Sequence, residues 1–277
     1  MLADVDARVV ENRRLSSDYN VLVFHAPSIA AAAAPGQFVM IKTAGAGDMP
    51  LLRRPFSIFE ITRDRAGAPA GMSILNKKIG TGTSQLYDAP IDAVLAVLGP
   101  LGRPFAPPES GEAWMVAGGV GLGPFVTLAE ALTRAATPAT LFYGARTAAD
   151  LHCADLFPPL GAELIVSTED GSRGDRGFIT GPLQRALEAA EHNREGAGEV
   201  TIYVCGPTPM MRAVAALAAR FSRTCIVSLE QVMGCGLGGC YSCVVKVRQP
   251  DRPRFVRSCI DGPVFDASAV VWEELAH

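Results

Sequence analysis

Over the first hundred residues, hydrophobic positions form short runs that glycine, proline and aspartate interrupt. Runs of this length predict β-strands, and their number and spacing favour a small antiparallel β-barrel. The predicted strands are Val5–Val10, Asn20–His25, Phe38–Ile41, Phe56–Ile61, Met72–Asn76 and Val94–Val97. A stretch rich in proline and glycine follows, from Gly99 to Gly111, and indicates a linker.

From Trp114 onward, apolar strands alternate with segments of helical periodicity. The predicted strands are Trp114–Ala117, Thr140–Tyr143, Glu163–Thr168 and Val200–Cys205. This alternation predicts a parallel sheet with crossover helices. We therefore expect a multi-domain chain: an antiparallel β-barrel over residues 1–106, an α/β parallel-sheet domain over 107–222, and a small C-terminal module over 223–277.

Composition agrees with a compact globular protein, since 49% of the 277 residues are hydrophobic and 19% are charged. The formal net charge of −3 gives no reason to expect nucleic acid or an anionic membrane as a partner. No apolar run approaches the ~18 residues of a membrane span. The first ten residues lack the apolar region of a secretory signal, so a cytoplasmic protein is expected.

The strongest chemical pattern is a set of four cysteines near the C-terminus. Cys235, Cys240 and Cys243 have the spacing C-x4-C-x2-C, and Cys259 follows after fifteen intervening residues. This spacing is that of the plant-type [2Fe–2S] cluster, which needs two thiolates per iron. The alternative is a structural zinc site with four cysteine ligands, which normally has two C-x2-C pairs, whereas this chain has one.

Two segments of the predicted barrel are candidates for holding a flavin nucleotide. In Arg54-Pro55-Phe56-Ser57, an arginine able to fork onto a phosphate shares one strand face with an aromatic ring. In the loop KKIGTGT, Gly82 and Thr83 offer backbone N–H groups and a hydroxyl to a pyrophosphate, at the start of a predicted helix. Taken alone, the first segment is more typical of a strand start with exposed arginines, and the second is a weak motif that also occurs in ordinary loops.

A second nucleotide site is predicted in the α/β domain. The turn Gly118-Gly119-Val120-Gly121-Leu122-Gly123 lies between a strand and a helix, with Pro124 as the predicted first helical residue. It does not match the G-x-G-x-x-G fingerprint. Cys205-Gly206-Pro207 follows another strand, where open α/β sheets bind ligands, although Cys205 is equally typical of a small core residue.

In their order along the chain, these motifs resemble the ferredoxin–NADP⁺ reductase superfamily. More closely, the chain is similar to the electron-transfer subunits of NAD-dependent (type 1B) dihydroorotate dehydrogenase, chiefly through CGLGGCYSC and the segment SCIDGPVF that contains Cys259. The resemblance implies that Arg54-Pro55-Phe56-Ser57, Leu75-Asn76-Lys77 and Gly82-Thr83 hold FAD. It also implies that the glycine turn, through Gly118, Gly119, Gly121 and Gly123, and Cys205-Gly206-Pro207 bind NAD. Relatives usually have Leu-Tyr-Arg where this chain has Leu75-Asn76-Lys77, and lysine cannot fork onto a phosphate as arginine does.

The resemblance further implies that the chain has no catalytic residue for dihydroorotate oxidation, which would occur at FMN in a separate catalytic subunit. Together the two chains would form a heterotetramer of two plus two that serves pyrimidine (UMP) biosynthesis. Met233, Leu237 and Tyr241 are candidate interface residues, or simply pack around the cluster. Two alternatives stay open: a related NAD(P)H reductase subunit of a hydrogenase, sulfite reductase or ferredoxin-dependent transhydrogenase, and a zinc-containing scaffold without catalysis.

Overall fold

The computed structural model describes residues 1–43, 49–192 and 199–275. The chain divides into two compact units. The first unit contains Met1–Pro104, Gln231–Val244 and Arg257–Pro263, and the second contains Phe105–Glu230, Val245–Val256 and Val264–His277. The predicted C-terminal module over 223–277 is thus divided between the units, and the three-domain bounds stay a prediction.

The first unit is built on a seven-stranded antiparallel sheet with the order β4-β3-β7-β1-β2-β6-β5. Its strands are β1 (Ala3–Arg14), β2 (Tyr19–His25), β3 (Phe38–Ile41), β4 (Arg54–Ser57), β5 (Ile61–Arg63), β6 (Pro69–Lys77) and β7 (Val94–Leu101). Two short helices, α1 (Pro27–Ala32) and α2 (Thr81–Tyr87), accompany it. The sheet is curled, since β4 approaches β6 although four strands separate them in the order. It therefore forms a half-barrel, which confirms the antiparallel flavin-type domain expected from the sequence.

The single strand predicted over Phe56–Ile61 is wrong, because the chain changes hydrogen-bonding partners within it. β4 pairs with β3, and β5 pairs with β6 near the other end of the sheet order. Between them, the Ile58 N–H donates to Gln37 O at 3.0 Å and the Phe59 N–H donates to Ser73 O at 2.9 Å. Both of these side chains are buried, so an apolar run continues through the change of partner.

The second unit contains a seven-stranded sheet with the order β11-β10-β9-β8-β12-β13-β16. Its strands are β8 (Glu112–Gly118), β9 (Ala139–Ala145), β10 (Ala162–Thr168), β11 (Asp175–Arg176), β12 (Val200–Cys205), β13 (Thr224–Ser228) and β16 (Val264–Asp266). Neighbouring strands are parallel, except that β16 is antiparallel to β13. A two-stranded sheet of β14 (Val244–Val247) and β15 (Arg254–Arg257) precedes a short helix, α6 (Ser258–Asp261). The predicted parallel sheet is confirmed, and β12 has the predicted bounds.

Helices α3 (Phe125–Arg134), α4 (Thr180–His192) and α5 (Thr208–Arg220) provide the crossovers of this sheet. The core of the second unit includes Trp114, Phe142 and Leu183, with Val245 and Trp272 from the C-terminal segment. Strands β9 to β11 lie on one side of β8, and β12 and β13 lie on the other. The strand order therefore reverses between β8 and β12, and the crevice at such a point is where open α/β sheets bind ligands.

None of the helices in the described parts of the chain combines the length and the apolar character that a membrane crossing requires.

Candidate functional site

The four predicted cluster cysteines all lie in the first unit, on its two C-terminal segments. Cys240 is exposed and Cys235 is half-buried, whereas Cys243 and Cys259 are only 2% and 1% exposed. By burial, the thiols divide into an outer pair, Cys235 and Cys240, and an inner pair, Cys243 and Cys259.

Two pairs of thiols are the donor set of a two-iron cluster, in which each iron takes two cysteines. A structural zinc ion would instead need all four thiolates to converge on one point. The division of Cys235, Cys240, Cys243 and Cys259 into two pairs by burial fits the donor set expected for the iron–sulfur prediction.

The loop that carries the outer pair has the backbone of a sulfur-binding turn. Gly236 and Gly238 have φ angles of +72° and +76°, which glycine adopts without strain. A Cβ on Gly236 would lie 2.6 Å from Met40 Cγ, and one on Gly238 would lie 2.8 Å from Ile260 Cγ1. The Leu237 N–H consequently points at Cys235 Sγ, at 3.3 Å.

The two pairs differ in their electrostatic surroundings. Hydrogen bonding, chiefly from the Ser242 hydroxyl, lowers the pKa of Cys240 to about 6. Burial raises the pKa of Cys259 to about 12. Polar contacts therefore favour the thiolate form of Cys240, whereas burial disfavours the charged form of Cys259.

The inner pair belongs to an apolar cluster on the half-barrel. Cys243 and Cys259 are buried together with five hydrophobic side chains, namely Phe38, Met40, Leu98, Leu101 and Met233. The Ser258 N–H donates to Cys243 O at 2.9 Å and joins the two cysteine segments. Met233 is thus a core residue, as expected for simple packing around the cluster, while Leu237 and Tyr241 are 54% and 63% exposed.

The structure brings the two predicted flavin segments together. A Cβ on Gly82 would lie 3.4 Å from Arg54 Cγ and 3.2 Å from Thr43 Oγ1, so the GTGT loop runs directly beside β4. Arg54 Nη1 donates to Leu52 O at 2.9 Å and to Arg53 O at 3.2 Å. Pro55, Phe56 and Ser57 are all half-buried. Thr43, which no sequence pattern indicated, is the residue that the structure adds here.

Asn76 and Thr83, which were expected to hold FAD, form hydrogen bonds with other protein groups. The Asn76 side chain is fully buried, and its Nδ2 donates to Asn20 Oδ1 at 2.8 Å and to Thr83 O at 3.0 Å. Thr83 Oγ1 accepts hydrogen bonds from the Ile79 and Gly80 N–H groups. The amide that replaces the family's tyrosine thus ties β6 to β2 and to the start of α2.

The neighbouring residues of β6 divide between core and surface. Leu75 is buried. Lys77 is half-buried, and its Nζ lies 5.0 Å from the centre of the Tyr19 ring. Of the three residues, only Lys77 carries a charge, and that charge lies over the Tyr19 ring of β2.

In the second unit, the glycine turn packs against the Cys205-Gly206-Pro207 segment at the reversal between β8 and β12. A Cβ on Gly121 would collide with the Cys205 carbonyl group and lie 2.5 Å from Gly206 Cα. A Cβ on Gly118 would lie 2.8 Å from Met210 Sδ and 3.0 Å from Pro207 Cδ. The two motifs, far apart in the sequence, are therefore in backbone contact, which only glycine allows.

The start of the helix after this turn differs slightly from the prediction. Pro124, predicted as the first helical residue, is the N-cap of α3, which begins at Phe125. Gly119–Leu122 forms a 3₁₀ turn before it, and Gly119 has a φ of +55°. Tight 3₁₀ turns are common at helix N-termini, and they move the first α-helical residue along the chain.

Cys205 lies at the carboxyl end of β12 and is buried. Burial is the main cause that raises its pKa to about 12, with a smaller contribution from the Glu230 carboxylate. Its thiol is therefore neutral at physiological pH, and a hydrogen bond links it to the Ser228 side chain. Cys205 is thus both a packed residue and part of the surface that adjoins the glycine turn.

Comparisons with known proteins agree with this division of sites. Residues 230–271 match the family model described as the iron-sulfur cluster binding domain of dihydroorotate dehydrogenase B, and residues 115–216 match the oxidoreductase NAD-binding domain. These domains and the reductase fold fit FAD, a [2Fe–2S] cluster and NAD, the cofactors expected from the sequence.

The chain is 35% identical to the dihydroorotate dehydrogenase B (NAD⁺) electron transfer subunit of Desulforamulus reducens, over 97% of this chain and 98% of that protein. It is 38% identical to the same subunit of Bacillus caldolyticus, over 86% of each chain. A solved structure of an NADH-dependent reduced ferredoxin–NADP oxidoreductase covers 99% of this chain, with a TM-score of 0.81 and 30% identity, and 92% of that chain is matched. The chain therefore belongs to the family of dihydroorotate dehydrogenase B (NAD⁺) electron-transfer subunits.

Proposed function

We propose that this chain carries electrons from an FMN-containing dihydroorotate dehydrogenase catalytic subunit, through a [2Fe–2S] cluster and FAD, to NAD⁺ in pyrimidine (UMP) biosynthesis. The observation that carries the proposal is the position of the cluster cysteines. The inner pair is part of the core of the unit that contains the flavin segments, whereas in the outer pair Cys235 is half-buried and Cys240 is exposed. One-electron carriers must approach each other closely, and this unit holds both sets of residues.

Each cofactor has residues that fit it. Cys235 and Cys240 would hold one iron, and Cys243 and Cys259 the other. Arg54 and the Gly82 loop, which lie side by side, would hold the phosphates of FAD through a forked cation and backbone amides. The flavin, when bound, supplies the exchange between one-electron and hydride chemistry, and the protein supplies position and electrostatics.

The NAD site is proposed at the reversal between β8 and β12. There the Gly118–Gly123 turn offers backbone amides, and the Cys205-Gly206-Pro207 segment forms the adjoining wall. The Cys205 thiol, held neutral by its raised pKa, adds no charge beside a nicotinamide ring. A neutral wall suits a site at which the ring alternates between cationic and neutral forms.

A docking surface for the catalytic subunit is proposed around the outer cysteine pair. Exposed hydrophobic side chains lie on the same two segments of the chain or contact them, namely Leu52, Val232, Leu237, Tyr241 and Ile260. Exposed apolar groups that cluster around a redox centre are typical of a protein interface. We propose a complex of two copies of each subunit, located in the cytoplasm, which mass measurement of the purified complex and cell fractionation would test.

The proposal is tested by reconstitution with the catalytic subunit encoded in the same genome. Dihydroorotate-dependent NAD⁺ reduction is expected for the complex, and FMN, FAD and iron should all be present. Cys240→Ser should abolish the cluster absorbance and the NAD⁺ reduction, because an alcohol is a poor ligand for iron at neutral pH. The matched control, Cys153→Ser, changes a half-buried cysteine outside the ligand set and should retain both. Retention of cluster and activity by Cys240→Ser would refute the ligand assignment.

The second candidate is a subunit of a ferredoxin-dependent transhydrogenase. It is favoured by the 30% identity to the reduced ferredoxin–NADP oxidoreductase chain over almost the whole length. Here the partner would be a second pyridine-nucleotide enzyme instead of an FMN dihydroorotate dehydrogenase. NADH oxidation by this chain with an artificial acceptor, without any dihydroorotate-dependent activity in the reconstituted complex, would favour that function.

A further inference from the structure

The Ser242 hydroxyl makes two contacts that join the beginning and the end of the cluster loop. Its Oγ accepts a hydrogen bond from the Gly234 N–H at 2.9 Å, and it lies 3.2 Å from Cys240 Sγ. Ser242 is exposed and is not one of the predicted ligands. We propose that Ser242 raises the reduction potential of the [2Fe–2S] cluster through a hydrogen bond from its hydroxyl to Cys240 Sγ; this inference rests on the proposed ligand set.

The direction of the hydrogen bond follows from the chemistry of a ligand thiolate. A cysteine sulfur bound to iron carries no proton, so it can only accept. The Gly234 N–H already donates to the serine oxygen, and this leaves the hydroxyl proton free for Cys240. Because the hydroxyl accepts one bond while it donates another, each bond polarises the other.

The glycine at position 234 supports this geometry. A Cβ there would lie 3.2 Å from Cys240 Sγ and 3.3 Å from Ser242 Oγ. Either distance is tighter than nine in ten real Cβ contacts, so a larger residue would require the atoms that the hydrogen bond joins to move by a few tenths of an ångström. The bare backbone of Gly234 therefore permits the Ser242–Cys240 contact and supplies the amide that orients the hydroxyl.

The effect on the potential follows from charge. One-electron reduction, for example by dithionite in a titration, adds one negative charge to the iron–sulfur centre and its thiolates. A hydrogen bond to sulfur becomes stronger as the sulfur becomes more negative, so the hydroxyl stabilises the reduced state more than the oxidised state. The Leu237 N–H acts on Cys235 in the same way, but as a backbone group it cannot be removed by side-chain substitution.

The test is a redox titration of the purified protein, followed by the visible spectrum of the cluster. Ser242→Ala should reduce the equilibrium constant for one-electron reduction by up to about tenfold, a shift of ~59 mV to more negative potential. Ser242→Thr keeps the hydroxyl at an exposed position and should restore the potential of the unmodified protein. Ser268→Ala removes an exposed serine hydroxyl of the second unit and should leave the potential unchanged.

The outcomes separate this inference from the proposed function. An intact cluster with an unchanged potential in Ser242→Ala would refute the role of Ser242 and leave the ligand set untouched. If Ser242→Ala does not retain a cluster, Ser242→Gly provides the second variant without a hydroxyl. Loss of the cluster in both, with retention in Ser242→Thr, would also refute the inference, because the hydroxyl would then be needed for assembly instead of tuning.

Discussion

Gly121→Ala introduces one methyl group where the glycine turn meets the Cys205–Gly206 peptide. The new Cβ would lie 2.5 Å from both Cys205 C and Gly206 Cα, and it would collide with Cys205 O. Ordinary contacts of a Cβ begin at about 3.4 Å, so the two segments must separate by about 1 Å. Because the obstructing atoms belong to the backbone, no side-chain rotation can relieve the conflict.

Two effects of this separation can be estimated. Overpacking of a close-packed region costs ~1–3 kcal/mol of stability. A displacement of ~1 Å in a binding site can lower reactivity by ~100-fold. We therefore expect the dissociation constant for NADH to rise by about 10- to 100-fold, which corresponds to ~1.4–2.8 kcal/mol.

The assay is the binding of NADH, measured by titration, together with the rate of flavin reduction by NADH. FAD and iron contents should equal those of the unmodified protein, because their residues lie in the other unit. Gly181→Ala is the matched control, since Gly181 lies in α4 of the same unit and its Cβ would approach nothing closer than Arg185 Nη1 at 3.8 Å. An unchanged NADH affinity in a folded Gly121→Ala protein would refute the placement of the nucleotide at this turn.

Three further predictions follow from other contacts. Arg54→Ala should weaken FAD binding by ~1.5–3 kcal/mol, because a charge-assisted contact with a phosphate is lost, and Arg54→Lys should restore part of this binding energy. Equal FAD affinity of the unmodified protein and both variants would contradict the proposed phosphate site. Asn76→Ala should lower the free energy of unfolding by ~1–3 kcal/mol, since it leaves the buried Asn20 Oδ1 and Thr83 O without the Asn76 donor. An unchanged free energy of unfolding, measured by denaturant titration, would contradict this role of the Asn76 amide. Burial raises the pKa of Cys225 from 9.0 to about 12, so the folded state holds this proton more tightly; the resulting stability is complete below pH 9 and is lost as the pH rises towards 12. Between pH 8 and pH 10 the unmodified protein should therefore lose ~1.4 kcal/mol more stability than Cys225→Ala, and equal losses would contradict the shift.

Much of the fold was accessible from the sequence, because the signals were local. Val200–Cys205 is a continuous apolar and β-branched run, and the strand has these bounds. The spacing of the cysteines predicted the cluster without reference to the fold. The split of Phe56–Ile61 was not accessible, because an uninterrupted apolar run does not reveal where the backbone exchanges one partner strand for another.

The remaining surprises depend on contacts between distant segments. Met233 follows β13 by only a few residues, yet it is buried against Phe38 and Leu98, which lie more than 130 positions earlier in the sequence. Asn76 occupies a position that the family resemblance assigned to the cofactor, but its amide is used by Asn20, a residue for which no motif exists. Neither contact leaves a periodic pattern in the sequence, because each is made by isolated residues that lie far apart along the chain.

The interleaving of the two units has a consequence for synthesis on the ribosome. The first unit cannot be completed when Pro104 emerges, because its apolar cluster also needs Met233, Cys243 and Cys259. Synthesis of the ~160 residues from there to Pro263 takes ~8–30 s at typical rates of ~5–20 residues per second. During that time, the apolar face formed by Phe38 and Met40 lacks its C-terminal cover. An uncovered apolar face of this kind is prone to aggregation, and the fourth predicted cluster ligand, Cys259, becomes available only near the end of that interval.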